Sequence, residues 1–351
     1  MLLLSKKIFQ VFTILTFAVI ALTAQTVKDY AKETADGIRG YEQTAHTYKF
    51  GEPVPVGSRM FGAEFDGSGN LTKYIEYNKD GKLKSTKQYE YDGSGNITKE
   101  VIYDDDNDIV SLKRFRYDLD NNLISETEHE PDESIIHKKD YEYEDGKLSK
   151  ETEYDDDGDI VGRKIYYYTS TGNLDKMIGY DSKGQPNIKV DYKYDSNNKL
   201  TEKLTYDEDG SVVEKEVNEY DQNGNLVNAI VYEGDGSLIS KVTYEYDAGN
   251  NLIEESKFDD SGDLEFLKKY EYNNGKLTLE KEFDEDAKLK FSYEYTYTSS
   301  GKIEKEVYQN PDDDLYQEFR YKYDDKGNVV EVVEFDKLKE PIKSYMISYT
   351  Y

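Results

Sequence analysis

From Phe65 to the end of the chain, apolar and polar positions follow a short regular beat. In "LTEKLTY" (200–206), Leu200, Leu204 and Tyr206 stand at offsets 0, 4 and 6, while Thr201, Lys203 and Thr205 fill positions between them. Leu174, Ile178 and Tyr180 repeat the pattern, as do Leu226, Ile230 and Tyr232. Such spacing predicts β-strands whose three marked residues share one face. An aromatic closes each strand: Tyr194, Tyr206 and Tyr220 are successive examples, 12 and then 14 residues apart. The series begins at Phe65 and runs to Tyr349, with His129 standing in one aromatic slot. The longer half-unit ends in Tyr-x-Tyr, as in Tyr89/Tyr91, Tyr141/Tyr143, Tyr192/Tyr194, Tyr244/Tyr246 and Tyr270/Tyr272, each pair placed on one face.

After each aromatic come turn residues, as in "DGSGN" (92–96), "DSNNK" (195–199) and "DQNGN" (221–225). Gly and Asn accept positive φ, and Asp bonds the backbone two residues on. The repeating unit is therefore a 26-residue β-hairpin with one shorter and one longer strand, and about eleven units fit between Phe65 and Tyr349. The fold class expected is all-β, a repetitive antiparallel hairpin meander of about twenty-two strands. At about 4.8 Å per strand it would extend on the order of 100 Å if open. A twisted sheet of that size is expected to curl or coil. Whether its ends meet is left open by the pattern, and the final strand, from Ile342 to Tyr351, is a candidate unpaired edge for self-association or partner pairing.

Composition narrows the choices. The 351 residues carry a formal net charge of -29, which disfavours nucleic acid and anionic membranes as partners. Charged residues make up 34%, as in some disordered chains, but 35 tyrosines against 13 phenylalanines argue for an ordered pleated surface. Basic ligands, cations and neutral glycans remain compatible with the charge. Lys6 and Lys7 precede the apolar run Ile8 to Leu22, with Ala21 and Ala24 at a small-residue exit. Residues 1–24 thus read as a secretory signal peptide, with no further membrane span after its removal. Export places the protein in the periplasm, at the cell surface or outside the cell. Residues 25–64 break the beat and read as an N-terminal lead or cap, with Pro53 and Pro55 in an extended linker. Residues 65–351 form the repeat domain. With no cysteine, the exported fold relies on its hydrogen-bonded ladder instead of disulfides.

The phrases "YDGSGNI" (91–97), "YDQNGNL" (220–226) and "YDDKGNV" (323–329) resemble the YD repeat of the RHS/YD family. "FDGSGNL" (65–71) and "YTSTGNL" (168–174) are near matches, and the resemblance covers about 65–351. It implies a secreted or surface β-sheet shell, which in some members wraps a toxin. A weaker second resemblance is to MORN-like hairpin repeats.

Alternate turns of a meander share an edge. One edge gathers "DDDND" (104–108), "DDDGD" (155–159), "DEDGS" (207–211) and "DDSGD" (259–263). A hard cation wants several carboxylate oxygens, so Asp155, Asp157 and Asp159, then Asp104, Asp106 and Asp108, are the candidate Ca²⁺ ligands. The other reading is plain turn chemistry on an acidic, solubilising rim. No other cofactor is indicated. The tyrosine face suits either cross-strand packing or sugar stacking. Three histidines, His46, His129 and His137, and no cysteine give no constellation of base, nucleophile and oxyanion donors, so no enzyme is expected. An outer-membrane barrel is disfavoured, because Lys and Glu interrupt both faces. The function expected is a non-enzymatic scaffold binding protein or glycan at the cell surface. The alternative is a component of an RHS-like toxin or immunity system.

Overall fold

The computed structural model describes residues 37–351. The expected signal peptide and the first part of the 25–64 lead lie outside the described residues. All regular structure among the described residues is β, in antiparallel strands. From Leu71–Tyr77 to Pro341–Thr350 the repeat region supplies twenty-two of them. Two more precede it, Gly40–Lys49 and Ser58–Phe65, with the two-residue Glu52–Pro53 beside Gly40–Lys49.

The chain does not remain a curled open meander. It closes into a β-barrel of 24 strands. The decisive pairing joins the first strand to the last, in register from Gly40↔Thr350 to Thr47↔Lys343. Gly40–Lys49 also pairs with Ser58–Phe65, and Pro341–Thr350 with Val329–Phe335. The final strand is therefore no open edge; both of its sides are hydrogen-bonded. Closure removes the unpaired N–H and C=O rows that an open sheet would present at each end. The closing strand lies in the stretch read as a lead, where no Tyr-Asp turn marks it.

The faces also differ from strict alternation. Almost every recorded strand pairing slips by one residue beside a turn. Lys193 opposes Glu202 but Tyr194 opposes Leu200, and Thr205 opposes Glu214 but Tyr206 opposes Val212. Each slip is a bulge that puts two residues on one strand against one on the other. One extra residue moves everything beyond it to the opposite face. Leu200 consequently sits on the face of Tyr192 and Tyr194, while Leu204 and Tyr206 sit on the other. The expectation that Leu200, Leu204 and Tyr206 share a face fails for this reason. The Tyr-x-Tyr pairs keep a common face, because the extra residue of their own strand lies at its other end.

The five-residue turns are alike. In 66–70, the Asp66 N–H donates to the Asn70 carbonyl and the Gly69 N–H to the Asp66 carbonyl, at 2.9 and 3.1 Å. Asp66 Oδ1 accepts the N–H groups of Ser68 and Asn70 at 2.8 and 2.9 Å. The fourth turn position takes positive φ: Gly69 at 82°, Asn121 at 64° and Asn198 at 61°. That requirement explains the Gly or Asn found there in most turns.

The strands fall into two compact units. One comprises Met1–Glu90, Ile102–Ile109 and Phe319–Tyr351, of which residues 37 onward are described. Its core is apolar: Tyr41, Ala63, Phe319, Val329, Val332, Tyr345 and Ile347, with Phe65 and Tyr349 packed against it. The other comprises Tyr91–Val101 and Val110–Glu318. It buries Leu112, Val190 and Tyr270, but also Glu255, Lys268, Glu280 and Glu306.

Candidate functional site

The six candidate calcium ligands are turn residues. The Asp155 carboxylate accepts the Asp159 N–H at 2.8 Å. The Asp104 carboxylate accepts the N–H groups of Asp106 and Asp108 at 3.1 and 2.9 Å. One carboxylate in each turn is thus engaged by its own backbone. Among the described residues, no three His, Asp or Glu side chains form a group that could hold a metal ion. The histidines are likewise engaged. His46 Nδ1 lies 2.7 Å from the Val54 carbonyl and His129 Nδ1 lies 2.9 Å from that of Glu133, so each Nδ1–H donates. His137 Nε2 lies 2.6 Å from Glu153 Oε1.

The tyrosines divide into two roles. The last tyrosine of the longer strand donates its hydroxyl to the carbonyl of the leucine 20 residues back, at the start of the preceding strand or one residue into it. Tyr143 to Leu123, Tyr168 to Leu148, Tyr194 to Leu174, Tyr220 to Leu200 and Tyr246 to Leu226 all lie within 2.8–3.0 Å. In three of the pairs the first tyrosine meets a glutamate instead. Tyr141 donates to Glu126, Tyr166 to Glu151 and Tyr270 to Glu255, at 3.4, 3.2 and 3.3 Å. Burial first, then these carboxylates, pushes the Tyr141 hydroxyl up to about 12. Glu255 and Glu280 are both raised above the ordinary 4.5, chiefly by burial, with Lys268 opposing the shift.

A second regularity was missed by sequence reading. At the end of the sheet where the longer strands finish, the fifth residue of one turn reaches the fourth residue of the next. Asn96 bonds Asn121, Asn173 bonds Asn198 and Asn225 bonds Asn250, at 2.9, 3.0 and 2.9 Å. Where the fourth residue is glycine, lysine takes the donor place: Lys199 reaches the Gly224 carbonyl and Lys276 that of Gly301. Lys199 and Lys276 also lie over the Tyr220 and Tyr297 rings, 4.8 and 4.9 Å from the centroids. A short Asn amide meets a side-chain amide extended toward it, whereas the longer lysine spans to bare backbone. The matching of residues 25 apart was the available signal.

One concavity interrupts the tyrosine–glutamate face within 110–318. Glu151, Lys164, Gly179 and Ile188 stand in one row across four strands, and Glu153 opposite Gly162 begins the next row. Other repeats carry side chains in the slot of Gly162, for example His137, Ile188 and Phe291. Gly162 leaves a cavity of about 210 Å³, lined also by Tyr180 and Asn187. Glu151 is paired with Lys164 at 3.3 Å and receives the Tyr166 hydroxyl at 3.2 Å, and Glu153 is held by His137. A Cβ on Gly162 would have only the Tyr180 carbonyl oxygen within 4 Å, at 3.6 Å.

A family model described as "Uncharacterised protein" matches residues 182–296 and 217–349. The overlap of the two matches fits a chain that repeats itself. No curated protein matches the chain. Among solved structures, "TcdB2-TccC3-TEV" is similar at 13% identity over 84% of this chain, with a TM-score of 0.22. The "Photorhabdus luminescens Tc holotoxin pore" gives 12% identity over 83%, with a TM-score of 0.20. The chain spans only 23% and 22% of those two chains. A porin-like protein from Bacteroides uniformis is similar at 11% identity, over 89% of this chain and 97% of that one, with a TM-score of 0.28. At scores this low the likenesses assign no function to this chain.

Proposed function

We propose that this protein is a non-enzymatic β-repeat scaffold that binds protein or glycan outside the cytoplasm. The observation that carries the reading is the recurrence of one hydrogen-bonded frame at 26-residue steps. Tyr194, Tyr220 and Tyr246 each fasten the strand that precedes theirs in the same way. A frame fixed so often presents similar surfaces side by side, and weak contacts on such surfaces add through multivalency. The YD-repeat resemblance of the turns supports a secreted or surface setting.

The closed sheet brings the membrane-spanning alternative forward, and the charges weigh against it. One face carries Lys193 and Lys215 on Glu202, and the opposite face carries Lys203 on Glu216. A lysine facing lipid at the bilayer midplane costs about 2–4 kcal/mol.

The test is capture. The immobilised protein is exposed to cell-envelope extract and to purified polysaccharides, with calcium and then with chelator. Specific capture that survives the chelator supports the scaffold. Capture lost with chelator would return Asp155, Asp157 and Asp159 to the role of ligands. No capture in either condition would overturn the reading.

A further inference from the structure

We propose that the cavity over Gly162 is a binding subsite for a single neutral sugar ring. The inference rests on the scaffold reading above and names the ligand class for one place on it. Three observations point the same way. The cavity is made by composition: Gly162 stands where other repeats place His137, Ile188 or Phe291, so one position in the lattice is left open. Its volume of about 210 Å³ lies below the roughly 300–1,000 Å³ of sites for drug-sized ligands, which suits one small ring or the end of a chain. Its lining joins apolar surface from Ile188, the backbone carbonyl of Tyr180, and the polar groups of Glu151, Glu153, Lys164 and Asn187.

Charge decides between a cationic and a neutral occupant. Glu151 already has Lys164 at 3.3 Å, and Glu153 has the His137 imidazole at 2.6 Å. A cation entering the cavity would compete with the partner of Glu151, and would have to leave water to do so. A hydroxyl group needs no displaced partner. It donates to an unused carboxylate lone pair and accepts from the lysine ammonium or the Asn187 amide. Charge-assisted hydrogen bonds of that kind are the stronger ones, and several around one ring give it an orientation. The ring's C–H face can then lie against Ile188.

The experiment is saturation-transfer NMR on the whole protein with free D-glucose, D-galactose, D-mannose and N-acetylglucosamine, and with free arginine as a cationic probe. Two variants accompany the wild type. Gly162→Leu fills the cavity, and the open space around a Cβ there lets the backbone keep its conformation. Glu153→Gln keeps the shape and removes one charge-assisted acceptor. The expected result is saturable transfer to at least one hexose, abolished in Gly162→Leu and about tenfold weaker in Glu153→Gln. Three results would each overturn the inference: no hexose binds the wild type, hexose binding is unchanged in both variants, or arginine binds and the hexoses do not. Envelope capture that persists while hexoses fail would leave the scaffold standing without this subsite. Loss of both would remove the two together.

Discussion

The two compact units use one hairpin plan to hold different interiors. In the unit that contains both ends of the ladder, the buried apolar cluster is Tyr41, Ala63, Phe319, Val329, Val332, Tyr345 and Ile347, with Gln43, Asn328, Glu334 and Ser344 among the buried polar exceptions. In the other, Glu255, Lys268, Tyr270, Glu280 and Glu306 are buried in the same kind of strand. The slot of Ile347 in the first unit is the slot of Tyr295 in the second, and that of Val332 is Glu306. What the two share is backbone: turns opened by Asp, a bulge beside the turn, and a tyrosine hydroxyl on a carbonyl, as in Tyr349 to Val329 and Tyr220 to Leu200, both at 2.9 Å. The ladder fixes where side chains stand and leaves open whether packing or polar pairing fills the space. An apolar filling stabilises through area removed from water. A polar filling stabilises only as far as each buried group finds a partner. Closing a ladder on itself adds pairing that has no turn to guide it, and in this chain the unit with the apolar filling contains that seam.

The largest expected effect breaks the apolar side. Ile347→Ala should lower unfolding stability by about 2–5 kcal/mol, through lost transfer energy and a cavity. Equilibrium urea unfolding measures it, and a loss below about 1 kcal/mol would mean that the cluster is not what holds the closing strands together.

The same seam contains an exception that should respond in the opposite direction. Gln43 is fully buried between the strands of Phe61 and Ile347, and neither amide atom has a hydrogen-bond partner. Gln43→Leu should raise stability by about 1–3 kcal/mol, the usual desolvation cost of an unsatisfied group. A lower urea midpoint in the variant would refute that assignment.

Next comes the polar side. Burial raises Glu255 and Glu280 above 4.5, so the folded protein binds more protons than the unfolded chain just above that pH. Their contribution to stability is fully present below pH 4.5 and is lost as pH rises through the folded value. Around Glu255 stand Tyr244 and Lys268 on the neighbouring strands, with Glu280 and Glu282 beyond; around Glu280 stand Tyr270 and Tyr293. The double variant Glu255→Gln/Glu280→Gln should therefore unfold at a higher temperature than wild type at pH 7, with the gap closing below pH 4.5. The turn aspartates act in the opposite sense. Asn side chains and backbone N–H groups hold Asp92 and Asp118 below 3.8, so their contribution is present above that pH and fades only in stronger acid. Thermal melts between pH 3 and 7 separate the two windows, and a gap independent of pH would refute the assignment.

A smaller change addresses what the units share. Tyr220→Phe removes the hydroxyl that binds the Leu200 carbonyl and should cost about 0.5–1.5 kcal/mol. Tyr349→Phe should cost a similar amount, and unequal losses would show that the staple is not equivalent in the two units. The smallest effect is none at all. With one carboxylate of each acidic turn engaged by backbone, millimolar calcium should leave the melting temperature unchanged in wild type and in Asp155→Asn alike. A calcium-dependent rise in wild type alone would restore the acidic edge as a cation site.

Much of this was written in the chain. Tyr-Asp followed by Gly or Asn marks a strand end and a turn that needs positive φ, and both are local requirements. They fixed the strands from Leu71 to Thr350 and the 26-residue period. Closure was not legible, because Gly40–Lys49 pairs with Pro341–Thr350 from the far end of the chain and no turn joins them. The faces were misread at Leu200, because a bulge is one residue of slack and leaves the apolar spacing looking regular. The cavity over Gly162 was invisible for a related reason. A glycine in a strand states only that a side chain is missing, and the space it leaves depends on Glu153, Tyr180 and Ile188 brought beside it by three different strands. Sequence determined the repeating unit, since hydrogen bonds within a hairpin are near in the chain. Tertiary structure decided closure, face and cavity, since each depends on which distant strand a residue is pressed against.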